Sequence, residues 1–456
     1  MQRLAPPNVE ARAENAGKSP FAFGRRFFLL LFIGLAWIAP AWKEPRFLYA
    51  MLLWDLMALA FWAYDLKRMP RPGQLTVRRV WSESLGLAQT SRIAIEVSNA
   101  ARVSAMFQVT DEAPATFRAE IPEVSLAVPA GSSASGAYTI EPTVRGDASF
   151  GDVWLRYSSP LLLAERWARA RLAQSVRVYP NLGEAQKMRI YLIRSRQIEL
   201  EKRLKRQRGH GREFESLREY RAGDEYRDVS WSATARRGKL ITKVYQIERS
   251  QTVWLVLDAG RLLRARVGHL NKLDHAVNAA LSLAQVALYS GDRVALLAYD
   301  RKLQQRVAPG RGVQHQRALI ESLAQVHAAT SEADHLLATR ALLSSQTRRS
   351  LVVWLTDFAE TAATPEVIEC TAAIAARHLV LFGVMAQTEL RALVALRPEN
   401  VEQMYRYSAA LEIVQRRDLL LRQVRQQGAM VLESAPAGLS TALANQYLQI
   451  KERSLL

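Results

Sequence analysis

Residues 212–258 read REFESLREYRAGDEYRDVSWSATARRGKLITKVYQIERSQTVWLVLD, and the fold turns on how they are understood. Charges of both signs alternate with regularly placed aromatics, and the chain then enters an apolar run that ends in Asp258. Phe214, Leu217, Tyr220 and Trp231 supply an apolar side. Gly223-Asp224 marks a turn, because glycine tolerates positive φ and aspartate bonds nearby backbone. The uninterrupted apolar run at 252–259 suits a strand buried on both faces.

Downstream, strand and helix patterns alternate to the end of the chain. The helical KLDHAVNAALSLAQVALYSG precedes the strand DRVALLAYD, and VQHQRALIESLAQVHA is again helical. Next come SLVVWLTDF (350–358), the helix PEVIECTAAIAAR and the strand HLVLFGVM. A helix around SAALEIVQRRDLLLRQVRQQG, the strand AMVLES and a last helix follow. Apolar strands alternating with amphipathic helices imply a doubly wound α/β domain over 251–456, with a mostly parallel sheet covered on both faces. In such sheets sites form at the carboxyl ends of strands, where Asp258 and Asp357 stand.

Upstream, residues 75–180 carry short alternating runs separated by Gly, Pro, Asn and Ser, the pattern of an immunoglobulin-like β-sandwich. Residues 181–250 join the two as a basic connector and the signature stretch. The basic part, 187–212, suits three roles: a solvated connector helix, an anionic-lipid contact worth about 1 kcal/mol per well-placed cation, or a nucleic-acid contact. Tyr191 is its one aromatic for base stacking.

Ahead of the sandwich, residues 1–20 read as a mobile cytoplasmic arm and 21–66 as a two-helix transmembrane hairpin. FFLLLFIGLAWIAPAW (27–42) and FLYAMLLWDLMALAFWAY (47–64) are each near the lower length limit for spanning, with interfacial Trp and Tyr extending them. Lys18, Arg25 and Arg26 precede the pair, and Lys67, Arg68, Arg71, Arg78 and Arg79 follow it. By the positive-inside rule both flanks, and the large carboxy-terminal part, lie in the cytoplasm. Asp55 falls inside the second segment, either as a partner-contacting or proton-linked group or as one that reaches water from a shallow hairpin.

The whole chain has 456 residues, which points to more than one folded unit, and a net charge of +19, which favours anionic partners. Cys370 is the single cysteine, so no intrachain disulfide forms; a helical pattern makes it a small core residue. No G-x-x-x-x-G-K-[ST], H-E-x-x-H or G-x-S-x-G motif occurs, and His269 and His275 are not spaced for one helical face. These patterns give no catalytic residue and no cofactor. Arg218, Glu219, Arg221, Asp224, Arg227, Asp228 and Arg236 suit either a buried polar network or a partner-docking surface.

The strand ending in Asp258, the Thr356-Asp357 pair and the helix order resemble a von Willebrand factor A domain. The elements Leu217-Arg218-Glu219-Tyr220, Gly223-Asp224, Arg227-Asp228-Val229-Ser230-Trp231 and Ala235-Arg236 resemble the hallmark of the bacterial family called domain of unknown function 58 (DUF 58). PTVRGDASFGDVWLRYSSPL (142–161), SGDRVALLAYD and RRSLVVWLTD extend the likeness. The resemblance implies a protein of the bacterial inner membrane that works with a MoxR-type AAA+ ATPase in assembly or maturation of other proteins, and with other envelope proteins as further partners. The doubly wound domain behind two spans, without catalytic motifs, reads as a non-enzymatic adaptor, with the signature residues Phe214, Leu217, Arg218, Tyr220, Gly223, Asp224, Arg227, Trp231 and Arg236 as docking or structural residues. The alternatives are nucleic-acid or anionic-lipid binding through 187–212, and metal-dependent adhesion-type binding at Asp258 and Asp357.

That last alternative meets a departure from the A-domain pattern. A complete adhesion site uses D-x-S-x-S, whose oxygens suit Mg²⁺. Here the run is Asp258-Ala259-Gly260-Arg261-Leu262. Asp334 is a third candidate carboxylate, at the position of a ligand threonine; strand-end aspartates also cap the turn or helix that follows.

Overall fold

Period-two alternation builds the first of two units into which the chain divides, Met1–Tyr179 and Pro180–Leu456. The computed structural model describes residues 5–17, 20–117, 120–181, 183, 213–221, 226, 229–246, 251–358, 364–453 and 455. The basic stretch 187–212, and Gly223, Asp224 and Arg227 of the signature, lie outside them.

Among the described residues, twelve strands make up the first unit: β1 (Val9–Asn15), β2 (Phe21–Phe23), β3 (Leu75–Trp81), β4 (Leu85–Gly86), β5 (Ser91–Asn99), β6 (Ala105–Asp111), β7 (Glu123–Val128), β8 (Ser132–Ile140), β9 (Gly146–Phe150), β10 (Val153–Ser158), β11 (Ala164–Ala170) and β12 (Gln174–Tyr179). The principal sheet runs β7-β6-β10-β11-β1-β3-β5-β8, with β2 added against β11. Leu75, Val77, Ile95 and Val97 from one half share a core with Phe107, Val109, Leu155 and Tyr157 from the other, so the halves act as two sandwich-like layers. A small sheet, β4-β12-β9, completes the unit.

One expectation from the sequence is corrected here, and one flanking cation takes an unexpected place. Residues 9–15 are no free arm: β1 lies inside the sheet, Val9–Arg12 pairing with β3 and Ala13–Asn15 with β11. Its signal is weak because VEARAEN alternates charges with small Val9, Ala11 and Ala13, which fit between larger neighbours yet contribute little hydropathy. Arg79, one of the cations that follow the apolar pair, does not lie on the surface. It is fully buried, with Nε donating to Asp111 Oδ2 at 3.0 Å, Nη1 to Leu172 O at 2.8 Å and Nη2 to Gly151 O at 2.9 Å. Tyr138 donates to the same carboxylate at 2.6 Å, which leaves the buried pair well satisfied.

The first apolar segment folds in pieces: α1 (Arg25–Gly34), a 3₁₀ turn at Leu35–Trp37 and a short helix at Ile38–Ala41 that contains Pro40. The second forms one helix, α2 (Phe47–Arg68). Among the described residues, α2 is the one helix long and apolar enough to cross a membrane. A Cβ at Gly34 would stand 2.7 Å from the Trp54 ring and 2.9 Å from Asp55 Oδ1, so glycine lets the segments approach closely there. Trp54 Nε1 donates to Leu30 O across the same contact, and Asp55 sits half-buried beside it.

In the second unit a hairpin, β13 (Glu213–Glu219) and β14 (Ile241–Gln246), brackets the short helix α3 (Trp231–Arg237). Then come β15 (Thr252–Asp258), the two-residue pair β16 (Arg266–Val267) and β17 (Leu270–Asn271), α4 (Lys272–Tyr289), β18 (Arg293–Tyr299), β19 (Leu303–Gly310), α5 (Val313–Ala324) and α6 (His335–Ser345). β20 (Leu351–Leu355), α7 (Thr364–Ala375), β21 (Leu379–Met385), α8 (Thr388–Ala395), α9 (Val401–Gln426), β22 (Met430–Ser434) and α10 (Leu439–Glu452) follow. The six-stranded sheet runs β19-β18-β15-β20-β21-β22, parallel except for β19 at the edge. Helices α4, α5 and α10 pack together, as do α6, α7 and α9, which makes a three-layer α/β arrangement.

Candidate functional site

Strand order reverses between β15 and β20, so their carboxyl ends diverge into the crevice where open α/β sheets hold ligands. Asp258 and Thr356-Asp357 emerge there, all buried. Asp258 Oδ1 accepts the Gly260 N–H at 2.7 Å, which closes the turn after β15, and Oδ2 accepts the Thr356 hydroxyl at 2.6 Å. Burial pushes the Asp258 carboxyl above the usual range; nearby His335, the Thr356 hydroxyl and the Gly260 N–H offset part of that, while the charge of Asp357 adds to it.

Asp357 carries two cationic partners. Lys272, the first residue of α4, donates to Oδ2, and Arg417 of α9 donates from Nη1 to Oδ1 at 2.9 Å. The Phe358 N–H also reaches Oδ1, at 2.9 Å. Arg417 is buried and donates in addition to the Met385 carbonyl, while its Nε finds no partner.

Asp334 does not join them. It is exposed at the N-cap of α6, where Oδ1 accepts the Leu337 N–H at 2.7 Å. The next residue, His335, is buried and borders a small opening with Asp258, Gly260, Arg261 and Glu332. Its Nδ1 lies 2.8 Å from the Tyr299 hydroxyl, which accepts the Trp354 indole N–H at 2.7 Å. Burial, then the charge of Asp258, holds the Tyr299 phenol well above its ordinary range. Arg261 pairs with Glu332 at 2.6 Å on the rim.

A divalent ion does not fit these groups. Both oxygens of Asp258 accept protein hydrogens, both oxygens of Asp357 face cations, and Asp334 is turned to helix capping. Among the described residues no group of three or more His, Cys, Asp or Glu side chains is arranged for a metal. Lys272, Arg417 and His335 are the members that reading the sequence missed. Arg417 was legible, since Ala410, Arg417, Leu421 and Val424 recur at helical spacing on the buried stripe of α9. Lys272 carried no such mark.

Among the described signature residues, Leu217, Trp231 and Arg236 take surface positions. Trp231 is 66% exposed at the start of α3, Leu217 is 37% exposed on β13, and Arg236 lies exposed in the last turn of α3. Tyr220 is half-buried with its ring 5.7 Å from that of Tyr226, itself 72% exposed, and Arg218 donates to the Glu219 carbonyl. Among the described residues of this segment, Val229, Ser230, Ile241 and Thr242 are buried. Phe214 lies on β13, but its side chain is outside the described residues, as are Gly223, Asp224 and Arg227.

Residues 216–402 match the family described as "Protein of unknown function DUF58". Uncharacterised proteins of Mycobacterium tuberculosis and Mycobacterium bovis are 30% identical over 175 residues, which is 38% of this chain. The matched stretch spans about half, 54%, of each relative. Among solved structures, a PapD-like domain of human CEP192 is 16% identical with a TM-score of 0.18, covering 23% of this chain and 84% of that domain. The conserved hypothetical protein BatB of Bacteroides thetaiotaomicron is 10% identical with a TM-score of 0.29, covering 44% of this chain and all of that one. Likenesses at these scores decide nothing about function.

Proposed function

We propose that this chain is a membrane-anchored, non-enzymatic adaptor whose second unit, read as a von Willebrand factor A-like domain, docks protein partners, a MoxR-type AAA+ ATPase among them, in the bacterial inner membrane. The observation that carries the docking reading is the exposure of two large aromatics on the signature segment, Trp231 and Tyr226. Large aromatics left in solvent lose the free energy their burial would supply, and such residues recur as anchors of interfaces. The family match over 216–402 includes both.

The anchor is supported by α2 and its surroundings. Leu52, Leu53, Leu56 and Phe61 are more than half exposed, as are Phe28, Leu29 and Phe32 of α1, and a contiguous apolar surface of that extent suits lipid. In-cell photocrosslinking from a probe at Ser232, next to Trp231, tests the docking reading. The expected product joins this chain to an AAA+ ATPase and weakens about tenfold or more in Trp231→Ala. Crosslinks that retrieve neither an ATPase nor an envelope protein sink the proposal.

A further inference from the structure

A buried carboxylate requires a counter-charge, and the identity of that counter-charge at Asp357 is visible. Two helices from opposite faces of the sheet supply it. Lys272 heads α4, only 15% exposed at its side chain, and Arg417 comes from α9, 4% exposed. Their hydrogens approach Oδ2 and Oδ1 respectively, with the Phe358 N–H as a third donor. Mg²⁺ at such a strand end would need near-octahedral oxygen ligands at about 2.0–2.1 Å, whereas both oxygens of Asp357 already accept from cationic N–H groups. The commitment of Arg417 is strong: its Nη2 is held by the Met385 carbonyl, and its buried Nε remains unpartnered rather than releasing the side chain to water.

We propose that Lys272 and Arg417 are the resident cation of this strand-end face, a counter-charge built from the chain where a related fold would use a divalent ion. The face then keeps its charge and shape without metal, and removing either side chain is equivalent to removing a structural ion. The inference stands on the geometry around Asp357 and is independent of whether the signature segment docks an ATPase.

The test uses the purified full-length chain. Thermal unfolding of the wild type is expected to be the same in EDTA and in millimolar Mg²⁺ or Mn²⁺. Lys272→Met and Asp357→Asn each lower the melting temperature, and the double variant melts no lower than the worse single one, as required of partners in one interaction. Losses that add would show that the two side chains act independently, and that result overturns the proposal. Should the variants fail to fold, paramagnetic resonance of Mn²⁺ mixed with wild-type protein decides it: an undiminished free-ion signal supports the built-in cation. Saturable Mn²⁺ uptake that raises the wild-type melting temperature and disappears in a folded Asp357→Asn overturns it.

Discussion

Single buried polar groups set several properties of this chain, and Tyr157 shows how. Its hydroxyl donates to the Pro70 carbonyl at 2.9 Å, and burial, only partly offset by Arg166, pushes its pKa from 10.0 to about 12. In the unfolded chain the phenol ionises near pH 10, whereas in the folded chain it holds its proton until about pH 12. Its contribution is therefore complete below pH 10 and is lost as the pH rises through 12, a loss of about 2–3 kcal/mol. Tyr157→Phe is expected to lower stability at neutral pH by about 1 kcal/mol through the lost hydrogen bond, yet to flatten the alkaline limb between pH 10 and 12 in chemical denaturation. Arg79 sets a larger effect. Arg79→Met leaves Asp111 buried without its cation and is expected to cost about 3–5 kcal/mol, read as a fall in denaturation midpoint. Nothing in RRVW distinguishes exposed Arg78 from buried Arg79 except the strand register, which places alternate residues inward. The sequence therefore revealed Asp258 and Asp357, which end conspicuous apolar runs, but not the cations that meet them from distant helices.

Elements were legible in proportion to how much apolar surface each contributes. β15, β18, β20, β21 and β22 were all readable because each is a compact apolar run. β19, LQQRVAPG, was not, since its few apolar residues are diluted by glutamines and arginine. β1 was hidden by its alanines, and α8 by its shortness. The same distinction explains α2, whose length and hydropathy announced it, while the group that fixes its lower end did not stand out. Asp65 is buried and accepts from the Ser159 hydroxyl and from the Ala164 N–H, at 3.3 Å for the latter, so it ties the last turns of α2 to the β10–β11 turn. Asp65→Ala strands both donors and is expected to cost about 1–3 kcal/mol. Limited proteolysis of the detergent-purified chain should then cut faster near residues 66–72, and an unchanged rate would show that α2 is held by its apolar contacts alone.

On the scale of the whole first unit, the two ends of the helical segment attach at one place, and this constrains how the chain can sit in a bilayer. At the entry, β2 pairs with β11, and the Gly24 N–H donates to the Leu163 carbonyl at 2.7 Å. At the exit, Asp65 meets Ser159 and Ala164, while Arg166 Nη2 donates to the Leu66 carbonyl at 3.1 Å. Entry and exit thus bind the same short stretch, Ser159–Arg166, and must lie on the same side of any membrane. If α2 crosses, the pieced segment 25–41 has to cross as well, which favours a hairpin even though α2 alone has the length of a span. Gly34, with room only for a hydrogen against Trp54 and Asp55, permits the close helix contact such a hairpin needs. Arg25, Arg26, Lys67 and Arg68 flank the two feet, so under the proposed hairpin the positive-inside rule would put them in the cytoplasm and the Lys43–Arg46 turn on the far side. The one natural cysteine, Cys370, is buried, which leaves the background for thiol labelling low. A cysteine placed at Glu44 is expected to react with a membrane-impermeant maleimide in intact cells, whereas one at exposed Arg102 or Arg397 should react only after lysis. Labelling of the Arg102 or Arg397 site in intact cells would reverse the orientation. Protection of the Glu44 site in intact cells followed by reaction on lysis would place the turn and the feet on one side, and the helical segment would then lie along the bilayer rather than through it.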